Sequence, residues 1–124
     1  MITGIGIDIV DVSRMEKWRS NARLLDRYFH PDEVTAVILR GRGAAQSLAA
    51  RFAAKEAFGK ALGTGLSDIT LKDIMVINSY NGRPEIQVFG TAKTALEKSG
   101  ANRMHISLTH EGDNALAMVV LEKA

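Results

Sequence analysis

The chain has 124 residues, 46% of them hydrophobic, with no cysteine and a formal net charge of +2. That length suits one domain around one core, because a chain of this size buries roughly two-thirds of its unfolded surface. The lack of cysteine excludes disulfides and thiolate metal sites, no apolar run approaches the roughly 20 residues that span a bilayer, and no basic-then-apolar leader pattern opens the sequence, so the cytoplasm is the expected location.

Residues 2–9 read as a strand in which Ile5, Ile7 and Ile9 alternate with Gly4, Gly6 and Asp8, the period-2 pattern of a half-buried strand. Asp8 falls on the face opposite the isoleucines, and the two glycines before it leave room for close approach by a backbone or ligand. Two readings of Asp8 stand: a strand-end residue that caps the turn into Asp11-Val-Ser-Arg14, or an acid kept there for use. Helices are expected over 13–19, 21–28 and 31–40, with Ser13 as an N-cap and Pro31 in a first turn.

Between Arg14 and Arg27, the basic residues Arg14, Lys17, Arg19, Arg23 and Arg27 face only Glu16 and Asp26. This is either a solvated helix face or a docking surface for an acidic partner. A nucleic-acid surface lacks support, since no aromatic interleaving or binding motif accompanies the charges. The loop Arg40-Gly-Arg-Gly43 reads as a flexible connector whose arginines also permit closure over a phosphate.

The helix expected over 44–63 is apolar on nearly every side. Leu48, Phe52, Phe58 and Leu62 spread over one side and Ala50, Ala53, Ala54, Ala57 and Ala61 form a small-residue band opposite, the pattern of a buried helix. Its four charged residues fall on two flanks: Glu56 and Lys60 lie about 40° apart on one, Arg51 and Lys55 about 40° apart on another. Glu56 and Lys60 are either an ordinary i,i+4 pair or part of a site. Mg²⁺ is commonly held by one or two carboxylates plus substrate phosphates and water, and Asp8 with Glu56 would supply that pair. Gly63-Thr-Gly65 ends the helix as a glycine cap.

Strands follow over 73–79 and 84–88, joined through Asn81-Gly82 in an expected type I′ turn, then a helix over 90–99 and strands 103–110 and 114–122 joined by a hairpin at Glu111–Asn114. Alternation places His105, Ser107 and Thr109 on one face, available to a ligand, and Ile106, Leu108 and His110 on the other. Ala115 to Leu121 is almost continuously apolar, so it should be covered on both faces, by helix 44–63 and by another subunit. The segregation of helices and strands argues α+β with an antiparallel sheet packed on the long central helix.

Four segments carry a resemblance: Gly4-Ile-Gly-Ile-Asp-Ile-Val-Asp-Val-Ser-Arg14, Phe29-His-Pro-Asp-Glu33, Arg51-Phe-Ala-Ala-Lys-Glu-Ala-Phe-Gly-Lys-Ala-Leu-Gly-Thr-Gly65 and His105-Ile-Ser-Leu-Thr-His110. In this order they resemble the bacterial holo-acyl-carrier-protein synthases, short-type 4′-phosphopantetheinyl transferases, along essentially the whole chain. The departures are minor, chiefly Thr3 and the loop at residues 40–43.

The resemblance implies the 4′-phosphopantetheinyl transferase fold and a Mg²⁺-dependent transfer of the phosphopantetheine arm of coenzyme A to a serine of apo acyl carrier protein, a step of fatty acid biosynthesis whose other product is adenosine 3′,5′-bisphosphate. Asp8 and Glu56 would ligate the metal and Lys60 would neutralise the α-phosphate side. Glu56 is the first candidate base; Asp32 or Glu33 is the second. Coenzyme A would meet Arg51, Lys60, Gly63, Asn81, Gly82, Arg83, Pro84, His105 and Ser107, with His110 in a structural part at the strand end. Arg14, Lys17, Arg19, Arg23 and Arg27 would receive the acidic carrier, and the enzyme would be a homotrimer with sites between subunits. The competing readings are another Mg²⁺-dependent phosphate-handling enzyme and a basic nucleic-acid-binding module.

Overall fold

A computed structural model of the chain describes residues Met1 to Ala124. Strand β1 (Ile2–Asp11) leads through three short helices, α1 (Val12–Glu16), α2 (Ala22–Tyr28) and α3 (Pro31–Ile38), and a 3-10 turn (Gly41–Gly43) into the long helix α4 (Ala44–Leu62). The hairpin β2 (Ile74–Asn78) and β3 (Pro84–Val88), helix α5 (Gly90–Ser99) and a second hairpin, β4 (Arg103–Glu111) and β5 (Asn114–Glu122), complete it. β1, β5 and β4 form one antiparallel sheet in that order, and β2 pairs with β3 in a second. The architecture is α+β with antiparallel sheets and a long central helix, as the sequence predicts.

α4 is the axis of the core: thirteen of its nineteen residues are buried, which the all-round apolar pattern required. It ends where Gly63 takes a left-handed conformation (φ 84°) and donates its N–H to Lys60 O, a conformation that costs glycine little. α3 starts on a capping box in which His30 accepts from Asp32 N and Glu33 reaches back to the His30 N–H, with Pro31 in the first turn. The cap of α1 is Asp11, whose carboxylate accepts from Ser13 N, rather than Ser13 itself.

β1 reverses the face that hydropathy suggests. Ile5, Ile7 and Ile9 point outward and are 57–63% exposed. The inward face is Gly4, Gly6, Asp8 and Val10, and a Cβ at Gly4 or Gly6 would fall far inside van der Waals range of the carbonyl oxygens of Ala61 and Ala57. The glycines let α4 lie directly against the strand, and the small-residue band of the helix meets Ala115 and Ala117 of β5 on the same side.

β5 is likewise covered on one face only within this chain: Ala115, Ala117, Val119 and Leu121 are buried, whereas Met118 is 40% exposed. Ile5 pairs with Val120, Ile7 with Met118 and Ile9 with Leu116, so the outer face carries a contiguous apolar row. Gly6→Ala should cost about 3 kcal/mol, the upper part of the overpacking range, because backbone has to move rather than a side chain. Urea unfolding with an unchanged midpoint would contradict the close helix–strand contact.

The β2–β3 connection is not the expected two-residue type I′ turn. Only Gly82 has a positive φ (83°), its N–H donates to Ser79 O at 2.8 Å, and the Ser79 N–H donates to Arg83 O at 2.8 Å. Asn81 instead accepts the Arg83 N–H through its side chain at 3.1 Å, the local hydrogen bonding that favours Asn in turns.

Candidate functional site

The glycine contact between β1 and α4 brings Asp8 beside the last turns of the helix. Lys60 Nζ donates to Asp8 Oδ1 and to Ile7 O, both at 2.9 Å. Lys60 therefore pairs with Asp8 across the two elements, and the simple helical Glu56–Lys60 bridge is not formed. Glu56 is partly buried, and its carboxyl is pushed above the usual range first by desolvation and then by the neighbouring Asp8 charge, while Lys60 and Arg14 oppose the rise. Two carboxylates held close enough to repel mark a place that favours a cation.

Arg14 closes the rim of this cluster. Its guanidinium lies 5.7 Å from the Trp18 ring centroid and 5.2 Å from that of Phe52, and Trp18 stacks on Tyr28 at 5.3 Å. The aromatic cage holds the arginine near Glu56. Lys17 and Arg19 are exposed on the turn after α1, and Arg23 and Arg27 are exposed on α2; Arg19 leans 3.5 Å from Glu16 and Arg27 lies 5.2 Å from the Tyr28 ring.

The other charged flank of α4 is mainly internal. Lys55 is fully buried and donates to Glu33 Oε1 at 2.7 Å, to Leu71 O at 2.9 Å and to Ile74 O. Arg51 donates to Ser47 Oγ at 3.2 Å and to Val76 O, and lies 3.8 Å from Glu33 Oε2. Desolvation lowers the proton affinity of both cations and Glu33 opposes it. Glu33 is thus excluded as a general base: its side chain is 0% exposed and engaged by donors on both oxygens. Asp32 remains on the surface, with its side chain 77% exposed.

Arg51 also lines a groove of about 350 Å³ between α4, the β2–β3 hairpin and the end of β4. Arg40, Gly82, Pro84, Thr109 and His110 share that lining. Of the residues expected to meet a nucleotide, Arg51, Gly82 and Pro84 are here, whereas Asn81, Arg83 and Gly63 are not among its walls. His105 and Ser107 lie elsewhere: they face outward, opposite Val120 and Met118, and His105 Nε2 is 3.0 Å from Glu122 Oε1. That hydrogen bond holds the Glu122 carboxyl below its usual range.

His110, expected in a structural part at the strand end, lines the groove, and His105 does not. They are five positions apart along the strand, so they occupy opposite faces of β4 about 17 Å apart. His110 continues the Ile106–Leu108 face, which packs against the core, and at the strand end that face opens into the groove. Asp8 and the groove belong to opposite edges of the three-stranded sheet, β1 and β4, with β5 between. Arg51 and Glu56 lie about 140° apart around α4. One copy thus carries an acidic and a basic half-site on different sides.

Residues 4–119 match the family model of the 4′-phosphopantetheinyl transferase superfamily. The chain is 57% identical to the holo-[acyl-carrier-protein] synthase of Treponema denticola, over 98% of this chain and 99% of that protein. Among solved structures it resembles the holo-[acyl-carrier-protein] synthase of Neisseria meningitidis, with 36% identity, a TM-score of 0.88, and coverage of 99% of this chain and 100% of that one. It also resembles the enzyme of Bacillus anthracis in complex with CoA (3′,5′-ADP), with 34% identity, a TM-score of 0.82, and coverage of 100% and 99%.

Proposed function

The chain belongs to the 4′-phosphopantetheinyl transferase superfamily, and from that premise we propose that it moves the phosphopantetheine arm of coenzyme A onto a serine of apo acyl carrier protein. The observation that carries this reading is the junction of Asp8, Glu56 and Lys60, two acids and a cation brought together from β1 and α4, with Lys60 and Asp8 52 positions apart in sequence. In the reaction the serine oxygen bonds to the β-phosphorus, the bond from that phosphorus to the bridging oxygen breaks, and adenosine 3′,5′-bisphosphate leaves with the bridging oxygen. The serine proton passes to a base. Positioning and charge stabilisation supply most of the catalysis in such transfers.

Asp8 and Glu56 fit Mg²⁺, since a pair of oxygen donors beside an open surface is how that ion is held when substrate phosphates complete the shell; no group of three acidic or histidine side chains forms a full cage. When bound there, the ion would polarise the attacked phosphoryl group. Lys60, with its side chain 53% exposed, has the freedom to leave Asp8 and follow the departing phosphate. Glu56, the partly buried acid of the pair, is the residue that would take the serine proton, directly or through water.

Coenzyme A carries a diphosphate and one ribose phosphate. With the diphosphate at Asp8 and Glu56, the groove's guanidinium groups of Arg40 and Arg51 and the imidazole of His110 are left for the ribose phosphate and Gly82 and Pro84 for the nucleotide. The half-sites face different ways in one copy, and the apolar row Ile5, Ile7, Ile9 and Met118 is exposed. Both support a homotrimer in which one subunit's acids meet another's groove; a three-chain mass by light scattering is expected, and a monomer would contradict it.

The basic face beside Arg14 supports docking of the acidic carrier at the same rim. Arg23→Glu should raise the carrier KM about tenfold with coenzyme A KM unchanged, because a rim charge acts mainly on encounter; an unaltered carrier KM would reduce the patch to a solvated face. The holo carrier would serve fatty acid biosynthesis in the cytoplasm, where coenzyme A is held. The direct test is incubation with coenzyme A, Mg²⁺ and apo carrier, read by mass spectrometry: one added phosphopantetheine is expected, and an unmodified carrier would refute the transfer.

A further inference from the structure

Arg51 is one of the walls of the groove, yet it is only 5% exposed and sits beside a second guanidinium, that of Arg40, which disfavours its charge. Something has to hold it there against repulsion and desolvation. The anchor is Glu33 on α3, which reaches α4 and β2 together. Its Oε1 accepts Lys55 Nζ at 2.7 Å and the His30 N–H at 3.0 Å. Its Oε2 accepts the Val76 N–H at 3.1 Å and lies 3.8 Å from Arg51. Val76 in turn offers its carbonyl to Arg51. One carboxylate thus ties the residue that binds Arg51 through backbone and attracts Arg51 through charge.

Lys55 alone would satisfy an ordinary buried ion pair through Oε1. The second oxygen is turned toward the groove side, where Val76 and Arg51 both stand in the lining. Every group around Glu33 is a donor, so an amide in its place would set an NH₂ against another donor on one side or the other.

We propose that Glu33 is a positioning residue for the transfer: it fixes the Arg51 guanidinium at the groove wall in the orientation that meets the ribose phosphate of coenzyme A. This rests on the nucleotide reading of the groove. Without the carboxylate, Arg51 keeps its charge but turns away from Arg40 toward solvent, and the groove loses its preference for a phosphate at that place.

The test is steady-state kinetics of Glu33→Gln, at a temperature where the variant is fully folded by circular dichroism, with coenzyme A and with 3′-dephospho-coenzyme A. The KM for coenzyme A should rise about tenfold, the scale of coupling within one network, while kcat and carrier KM stay within about twofold. The preference for coenzyme A over its dephospho form should shrink by the same factor. In an Arg51→Ala background the added Glu33→Gln should change neither quantity further. Where Glu33→Gln alone gives too little folded protein, Glu33→Gln with Lys55→Met removes both buried charges and carries the same expectations. A lowered melting temperature with coenzyme A KM and phosphate preference intact would overturn the proposal. A wild type that treats the two coenzymes alike would strike the nucleotide reading of the groove, and the Glu33 proposal with it.

Discussion

Asp8→Ala and Glu56→Ala should each slow phosphopantetheine transfer by about 10²–10³-fold, the range seen when a preorganised electrostatic group is removed from a transition state. Each substitution removes half of the carboxylate pair, and neither residue has a substitute: Glu33 is sealed in the interior and Asp32 lies on the surface of α3. Combining them should cost little more than either alone, because two acids proposed to hold one ion would act as a unit. Additive losses in quenched-flow measurements would show that the two acids do separate work.

Glu56 also has a signature in the metal-free protein. Its carboxyl is raised above the usual range by desolvation and by Asp8, so the folded state binds its proton more tightly than the unfolded chain does. Stability from that group is full at low pH and is lost as pH rises through the folded value. Glu56→Gln should therefore raise the melting temperature of metal-free protein at neutral pH, and the gain should vanish as the pH falls below the ordinary carboxylate range. A gain independent of pH would place its cause outside this titration.

Lys55→Met is the second large effect, on stability rather than rate. The ammonium is fully buried and bonded to Glu33, Leu71 O and Ile74 O; removing it strands a buried carboxylate. Breaking such a pair costs about 3–5 kcal/mol, whereas replacing both partners by apolar groups is often neutral. The melting temperature should fall by roughly 10 °C or more, and Glu33→Leu in addition should recover part of the loss. A Lys55→Met protein as stable as wild type would mean that Arg51 alone suffices to hold Glu33.

The order of elements was readable because local signals agree with the fold: Pro31 starts α3, Gly63 stops α4, and the apolar surround of α4 marks a buried axis. Three features were not readable, each for a long-range reason. Ile5, Ile7 and Ile9 look like a core face, but the close approach of Ala57 and Ala61 makes the glycine face the inner one and leaves the isoleucines for a surface. Glu33 reads from sequence as a candidate base beside Asp32, and only the arrival of Lys55 and Val76 turns it into a buried anion.

Arg51 and Lys55 advertised a need for anionic partners, and part of that need is met inside the protein. The choice between His105 and His110 depended on which face of β4 turns toward α4 at the strand end. Alternation separates the two histidines but does not say which side is the groove.

The central claim is that Asp8 and Glu56 share one divalent ion with the diphosphate of coenzyme A. Calorimetric titration of coenzyme A into wild type and into the Asp8→Asn/Glu56→Gln variant, each with Mg²⁺ and with EDTA, tests it most directly. Mg²⁺ should tighten binding to the wild type by at least about tenfold, some 1.4 kcal/mol, and should leave the variant's affinity unchanged. An equal Mg²⁺ enhancement in the variant would place the ion elsewhere and contradict the account.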